Sequence, residues 1–471
     1  MPPDNLFTHY GKLCNSALQI IKYEGWRSLW RHGKQYISRL RLVNRDNIKR
    51  EQLQMNTCAL HGIDQTIRTK VSIVIPTKNA GADFRLLLDS LRKQKYIAEI
   101  ELIVIDSGST DGTDSLAAEY GARIYRIHPD EFHHGKTRNL GASKTGGEYI
   151  VFMTQDAIPE NEYLIFHLIT AMQFDKKIMA VCPRQIARQD ADFYASFNTW
   201  YFTNKHLELL CDTVVSVRKM NMLPIQKRKL ASITDICCCL HRKTFLKYMF
   251  TMDYAEDLDL GIRLLQGGYK LCYLYNNCVV HSHNRPAAYT FKANYVTATT
   301  LPIIVGYGAS VIRMVSLRDL YHAIIRLYSQ LKYAVGQIHS TSTDEFMNMQ
   351  GLLQTGLSSI EIRDCQGDTS LDSLFSEING IIDLSSIDTK SSNFAFNHML
   401  HGLVSIFPPF YQFAQLDHKE KLEKADLIGT FYKIFASAVG AELGNVAWYQ
   451  MKHGGQEENV DRLNILLRRG I

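Results

Sequence analysis

Four short segments of this chain carry residues whose types and spacing suit chemistry on a phosphorylated ligand. In DYAEDLDLGIRLLQGGYK, residues 253–270, Glu256, Asp257 and Asp259 open a run of helical period. Three carboxylates exceed what a helix start needs, so one is a candidate general base; dipole stabilisation of the helix is the plainer alternative. In EYIVFMTQDAIP, residues 148–159, an apolar strand ends in Thr154, Gln155 and Asp156. A carboxylate just beyond a buried strand is expensive to leave unpaired. It either holds a divalent ion together with phosphate oxygens or caps the helix that follows. In DEFHHGKTRNLGA, residues 130–142, Gly135 permits a turn and Lys136 and Arg138 stand at a helix start. Cations beside free backbone N–H groups suit a diphosphate, or form a solvated basic helix start. In VVHSHN, residues 279–284, alternation puts His281 and His283 on one face of a strand. Either one of them reaches the metal or a phosphate, or both are structural.

Positioning such groups requires a sheet. The stretch ELIVIDSGSTDG, residues 101–112, is an apolar strand that stops at Asp106 and enters a small-residue turn, and VSIVIPTKN, residues 71–79, is a second strand of the same kind. Between them Phe84, Leu87, Leu88 and Leu91 fall at i, i+3, i+4 and i+7, one apolar helix face. An open parallel sheet binds ligands at the carboxyl ends of its strands, so Asp106 is expected to face a crevice. Further strand-like runs, ARIYRIH, EYIVFMTQD, IMAVCPRQ and YKLCYLY, extend the pattern to about residue 290 and point to a mixed α/β sheet domain.

The rest of the chain reads differently. Residues 300–471 are richer in helix-period segments such as LRDLYHAIIRLYSQLKYAVGQI, broken by polar stretches near 340–346 and 363–392. In FNHMLHGLVSIFPPFYQF, Pro408 and Pro409 exclude one continuous spanning helix, and a core segment is expected. Residues 1–70 hold 12 Lys or Arg against 5 Asp or Glu, an excess of +7 in a chain whose net charge is +6. Within them IIKYEGWRSLWRHGKQYISRLRL interleaves apolar and basic residues. That suits a helix lying on an anionic membrane surface, or a helical extension packed on the main domain. The expected organisation is therefore a basic helical extension at 1–69, a sheet domain at 70–299 and a mainly helical region at 300–471. With 471 residues, 46% of them hydrophobic, a large buried core is affordable. No apolar run reaches bilayer length and no signal-peptide order opens the chain, so a cytoplasmic location is expected. The ten cysteines include three in a row and no CxxC pair, which favours reduced thiols.

Taken in order, VSIVIPTKN, IVIDSGSTDGT, HHGKTRNLGA, VFMTQDAIP and AEDLDLGIRLLQGGYK resemble family 2 glycosyltransferases of GT-A fold over residues 70–285. EFHHGKTRNLGA and FMTQDAIP are most similar to bacterial rhamnosyltransferases of O-antigen and other surface polysaccharides. The resemblance implies a Rossmann-like nucleotide-binding mixed sheet in which Pro76, Thr77, Asn79 and Asp106 hold the nucleotide's base and ribose. Ser107 and Gln155 lie beside them on the donor, and Lys136 and Arg138 help the departing diphosphate. Asp156 matches the last Asp of the DxD motif. Thr154 replaces the first, so Asp156 with a histidine such as His283 is the implied ligand set for Mg²⁺ or Mn²⁺. Asp257 matches the catalytic base, with Glu256 next to it. The implied reaction inverts the sugar of a nucleotide-sugar donor, dTDP-β-L-rhamnose, onto a glycan or lipid-linked saccharide. A UDP- or GDP-sugar hexosyltransferase, a nucleotidyltransferase and a non-catalytic assembly protein are the alternatives. Peripheral membrane contact through residues 1–70 and a homo-oligomer are allowed, and no nucleic-acid partner is expected.

Overall fold

The computed structural model describes residues 48–53, 66–218, 222–306, 312, 315–354, 366–417, 422–453 and 458–471. The expected membrane-surface segment near residues 20–42 lies outside these. Ten strands form one mixed sheet: β1 (Ile48–Gln52), β2 (Val71–Thr77), β3 (Ile100–Asp106), β4 (Arg123–Arg126), β5 (Tyr149–Met153), β6 (Ile158–Pro159), β7 (Ile178–Ile186), β8 (Thr213–Val217), β9 (Cys237–His241) and β10 (Lys270–Val280). The order across the sheet is β1-β8-β10-β7-β9-β5-β2-β3-β4, with β6 paired to β10.

Strand direction is what builds the site. β2 runs parallel to β3 and β5, and β10 runs parallel to β7. β9 lies between β5 and β7 and is antiparallel to both. The carboxyl ends of β2, β3, β5, β7 and β10 therefore share one edge with the amino end of β9. Register pairs Thr77 with Asp106 at that edge.

β2 is buried at all seven positions because helices cover both faces of the sheet. Ile73, Ile75 and Val104 point into one core, and Val74, Ile103 and Ile105 into the other. The covering helices are α1 (Gly81–Arg92), α2 (Thr113–Glu119), α3 (His134–Ser143), α4 (Leu164–Phe174), α5 (Phe193–Tyr201), α6 (Pro224–Leu230), α7 (Arg242–Tyr248) and α8 (Glu256–Gln266). α1 buries the four residues of its expected stripe, Phe84, Leu87, Leu88 and Leu91. Seven cysteines among the described residues are free thiols.

Among the described residues eight more helices follow: α9 (Ala287–Val305), α10 (Leu317–Gly336), α11 (Glu345–Gln354), α12 (Thr369–Asn379), α13 (Thr389–Val404), α14 (Phe407–Asp417), α15 (Lys424–His453) and α16 (Glu458–Arg468). α9 and α15 pack so closely that a Cβ on Gly440 would sit 2.4 Å from the Phe291 carbonyl oxygen. Pro408 and Pro409 occupy the first turn of α14, where a missing N–H is harmless, and Phe407, Phe410 and Phe413 join the core.

The structure differs from the sequence reading in three places. Residues 48–52 form an edge strand on β8 rather than part of a helical extension. Thr369–Asn379, read as polar, is helical because Leu371, Leu374, Phe375 and Ile378 make a stripe narrow enough to escape notice. The boundary expected at 299/300 falls inside α9, and Phe193 and Phe197 of α5 belong to the C-terminal helical core. Among the described residues no helix is long and apolar enough to cross a membrane.

Candidate active site

At the carboxyl end of β3 the Asp106 side chain is buried and fully occupied. It accepts from Thr77 Oγ1 at 3.1 Å, Ser109 Oγ at 2.5 Å, Gly108 N at 3.1 Å and Ser109 N at 3.0 Å. A carboxylate offers about four lone-pair sites, so little is left for a ligand. Ser107 is committed in the same way, donating from N and Oγ to the Thr77 carbonyl, both at 2.9 Å. Asn79 sits at φ 45 and its Oδ1 accepts from Thr110 N at 2.8 Å. Pro76 lies within β2 itself. Gln155 clamps the β2 and β5 loops together, accepting from Lys78 N at 2.8 Å and donating to the Lys78 carbonyl at 3.3 Å. Together these contacts hold a rigid, backbone-lined cradle at the ends of β2 and β3.

A second group lies past β5 and β10. Asp156 Oδ2 is 3.3 Å from His283 Nε2 and its Oδ1 is 3.7 Å from His281 Nε2. One donor atom from each of the three residues lies within 4.8 Å of the others. β10 ends at Val280, so the histidines stand on irregular backbone rather than on one strand face, and their rings are nearly perpendicular at 84°. Burial pushes the His281 imidazole down to about 4 and also lowers His283, against the pull of Asp156. Both rings are thereby kept neutral, the form that ligates a metal.

The third group is acidic. Asp257 and Glu256 open α8 as expected, immediately after Ala255 at φ 53, a left-handed conformation that is costly for a residue with a Cβ. Asp235, at the amino end of β9, faces both. Burial, reinforced by the Asp235 charge, raises Asp257 to about 7. Burial, with Asp235 and Asp257, raises Glu256 to about 10 and so keeps it protonated. Arg138 is sunk among them, its Nε 2.9 Å from Asp235 Oδ2 without hydrogen-bond alignment and its Nη1 3.7 Å from Glu256 Oε1. Asp257, His281 and His283 all line one cavity of about 410 Å³.

The sequence profile described as glycosyl transferase family 2 matches residues 72–243. An O-antigen chain rhamnosyltransferase of Salmonella typhimurium is 32% identical over 233 residues, covering 48% of this chain and 71% of that one. Its counterpart from Salmonella anatum is 31% identical over 231 residues, covering 48% and 70%. This chain belongs to glycosyl transferase family 2. A solved structure similar to it, a mannosyltransferase of Pyrobaculum calidifontis in complex with GDP-Man and Mn²⁺, shares 14% identity at a TM-score of 0.41, covering 82% of this chain and 94% of that one.

In this glycosyltransferase the mixed sheet, with its parallel strand ends and covered faces, is the GT-A architecture. The HHGKTRNLGA segment was expected to meet a diphosphate, but the structure turns it inward. Arg138 is buried against carboxylates because α3 packs on the segment around Phe250 and Met252 that leads into α8. A Cβ on Gly135 would meet the Met252 carbonyl at 2.7 Å, and Asn139 exchanges two hydrogen bonds with the Phe250 backbone. Lys136 is exposed and lies 4.0 Å from Asp253. Three residues at the site carried little signal in the sequence. His281 was one of an undecided pair. Asp235 precedes the strand CCCLH, whose direction alone brings it to this edge. Arg188 is held by Asp83 at 2.6 and 3.1 Å, and its charge acts on both histidines.

Proposed function

We propose that this glycosyltransferase moves L-rhamnose from dTDP-β-L-rhamnose to a hydroxyl of a growing bacterial surface glycan or lipid-linked saccharide, inverting the anomeric centre. The observation that carries the mechanism is that Asp257 lines one cavity with His281 and His283, whose ring nitrogens gather at Asp156. The names of the two Salmonella relatives support the sugar.

The cradle of Thr77, Asn79 and the β3 turn receives base and ribose, with Asp106, Ser107 and Gln155 shaping it. Asp156 Oδ and the two Nε2 atoms would hold a divalent ion, whose chemistry there is charge stabilisation of the departing diphosphate. Two neutral imidazoles with one carboxylate fit Mn²⁺ better than Mg²⁺, which prefers oxygen ligands. Arg188 and Arg285, whose charges reach His283, bring further positive charge to that edge. Asp257 takes the proton of the acceptor hydroxyl as the hydroxyl oxygen bonds to the anomeric carbon. The bond from that carbon to the diphosphate breaks on the opposite face, its electron pair leaving with dTDP. A base raised to about 7 is matched to neutral pH, whereas protonated Glu256 is not a base there.

The test is product analysis with labelled dTDP-β-L-rhamnose, Mn²⁺ and a saccharide acceptor. Free dTDP with an α-linked rhamnoside is the expected outcome. Preference for a UDP- or GDP-sugar overturns the donor, pyrophosphate release points to a nucleotidyltransferase, and no turnover with any nucleotide sugar leaves an assembly protein.

A further inference from the structure

The backbone that leads into Asp257 is strained. Between α7 and α8, Met249 at φ 48 and Ala255 at φ 53 both hold left-handed backbone, and neither is a glycine. Such residues are costly and persist only where their surroundings over-determine them. Ala255 is the N-cap of α8 and makes no side-chain cap, so the first turn, which carries Glu256 and Asp257, takes its direction from the residues before it.

Two sets of contacts hold this approach. At Met249, Arg263 of α8 donates to the carbonyls of Tyr248 and Met249 at 2.7 and 2.6 Å, beside the Asn139–Phe250 bonds already described. At Ala255 the support comes from the residue before it. Tyr254 packs against the C-terminal helical core, and its hydroxyl lies 3.2 Å from Thr297 Oγ1 on α9. The Thr297 hydroxyl already donates to the Ala293 carbonyl at 2.8 Å, so Tyr254 is the donor. Burial raises the Tyr254 phenol, with the Asp257 and Glu256 charges adding to it, so the proton it donates stays on. Thr251 and Asp253 are exposed, which leaves Tyr254 as the inward anchor next to Ala255. α9 is itself fixed. A Cβ on Gly444 of α15 would sit 2.5 Å from the Tyr295 carbonyl oxygen, and Arg468 of α16 donates to Thr299 Oγ1 at 3.1 Å.

We propose that Tyr254 is a positioning residue for Asp257: its hydrogen bond to Thr297 holds the left-handed turn at Ala255, and with it the start of α8, so that the C-terminal helical region sets the direction of the base. The inference rests on the reading of Asp257 as the base and goes beyond it by giving the C-terminal helices a part in turnover.

The full-length chain is assayed with a nucleotide-sugar donor that supports transfer, Mn²⁺ and a saccharide acceptor, with thermal unfolding to show that each variant folds. Tyr254→Phe and Thr297→Val are each expected to lower kcat by about tenfold, because an error of about 1 Å in a reacting group can cost roughly 100-fold, while donor and acceptor KM stay in place. The double variant is expected to lose no more than either single one, since both remove the same bond. Thr297→Ser keeps the acceptor oxygen and is expected to restore kcat. Parent-like kcat in Tyr254→Phe, a Thr297→Ser no better than Thr297→Val, losses that add in the double variant, or KM values that rise with the loss overturns the inference. Asp257→Asn separates it from the reading beneath: if that variant loses turnover, the base stands whatever Tyr254 does. Normal turnover there, or no transfer from any nucleotide sugar, removes both.

Discussion

Asp106 and Asp257 are carboxylates on the same edge of one sheet, and their surroundings are opposites. Asp106 is surrounded by donors: two backbone N–H groups and two hydroxyls, three of the four from the turn that follows it. Asp257 is desolvated beside the Asp235 carboxylate, which outweighs its donors, the Leu258 N–H at 2.7 Å and the Asp235 N–H, and the nearby Arg138 charge. Donors satisfy a carboxylate and make it a fixture. Desolvation among like charges leaves it hungry for a proton, and that difference separates the rigid cradle from the proposed reactive centre.

The largest break in this comparison is Asp257→Asn, which is expected to lower turnover by about 10² to 10⁴ while donor binding persists. Near-normal turnover would remove Asp257 from the chemistry. Next comes Asp156→Ala, measured by Mn²⁺ titration of binding or activity. The loss in apparent metal affinity should reach at least the roughly 10- to 100-fold typical of changes around a metal site, and unchanged metal dependence would dismiss the three-residue group. Asp106→Asn should weaken folding by about 1–3 kcal/mol, because an amide nitrogen then faces backbone donors. Thermal unfolding measures it, and a variant as stable as the parent would contradict the saturated-turn reading.

Smaller effects sharpen the electrostatics. The acid limb of kcat/KM is expected near pH 7, where Asp257 loses its proton. Asp235→Asn removes a charge that raises Asp257, so that limb should move to lower pH; a limb that stays put would disconnect Asp235 from the base. Glu256 is raised to about 10 from an ordinary 4.5, so the folded chain binds that proton more tightly than the unfolded one. Its contribution is complete below the unfolded value and is lost as pH rises toward about 10. Glu256→Gln should therefore flatten the loss of stability on the alkaline side and change turnover least of all, as read by unfolding and initial rates across pH.

The two regions were also unequally legible. The small-residue turn after Asp106 was readable from local spacing, but Asp106 was read as a ligand-facing carboxylate, and the donors that satisfy it, Thr77 among them, come into view only in the fold. The stripe of α1 and the acidic opening of α8 were readable from local spacing too. The burial of Arg138 beside Asp235 and Glu256 was not legible, because a cation at a helix start reads alike whether it faces solvent or a neighbour. Here the segment leading into α8 packs beside it, and Gly135 and Asn139 lock that approach through Met252 and Phe250. His281 and His283 were expected on a strand face, yet the strand ends first and the following backbone turns both rings to Asp156.

The order and spacing of the motifs determined, without coordinates, the fold, the strand-end edge and the positions of Asp156 and Asp257. Tertiary structure decided which side chains surround them. Strand direction is a property of the assembled sheet, so the antiparallel course of β9 delivered Asp235. Burial is a property of packing, so only the folded chain set Glu256 protonated, the imidazoles neutral and Arg138 inward among carboxylates. It also decided that α5, far from the C-terminal helices in sequence, rests on them, because an aromatic face buries itself against whatever apolar surface the fold brings near.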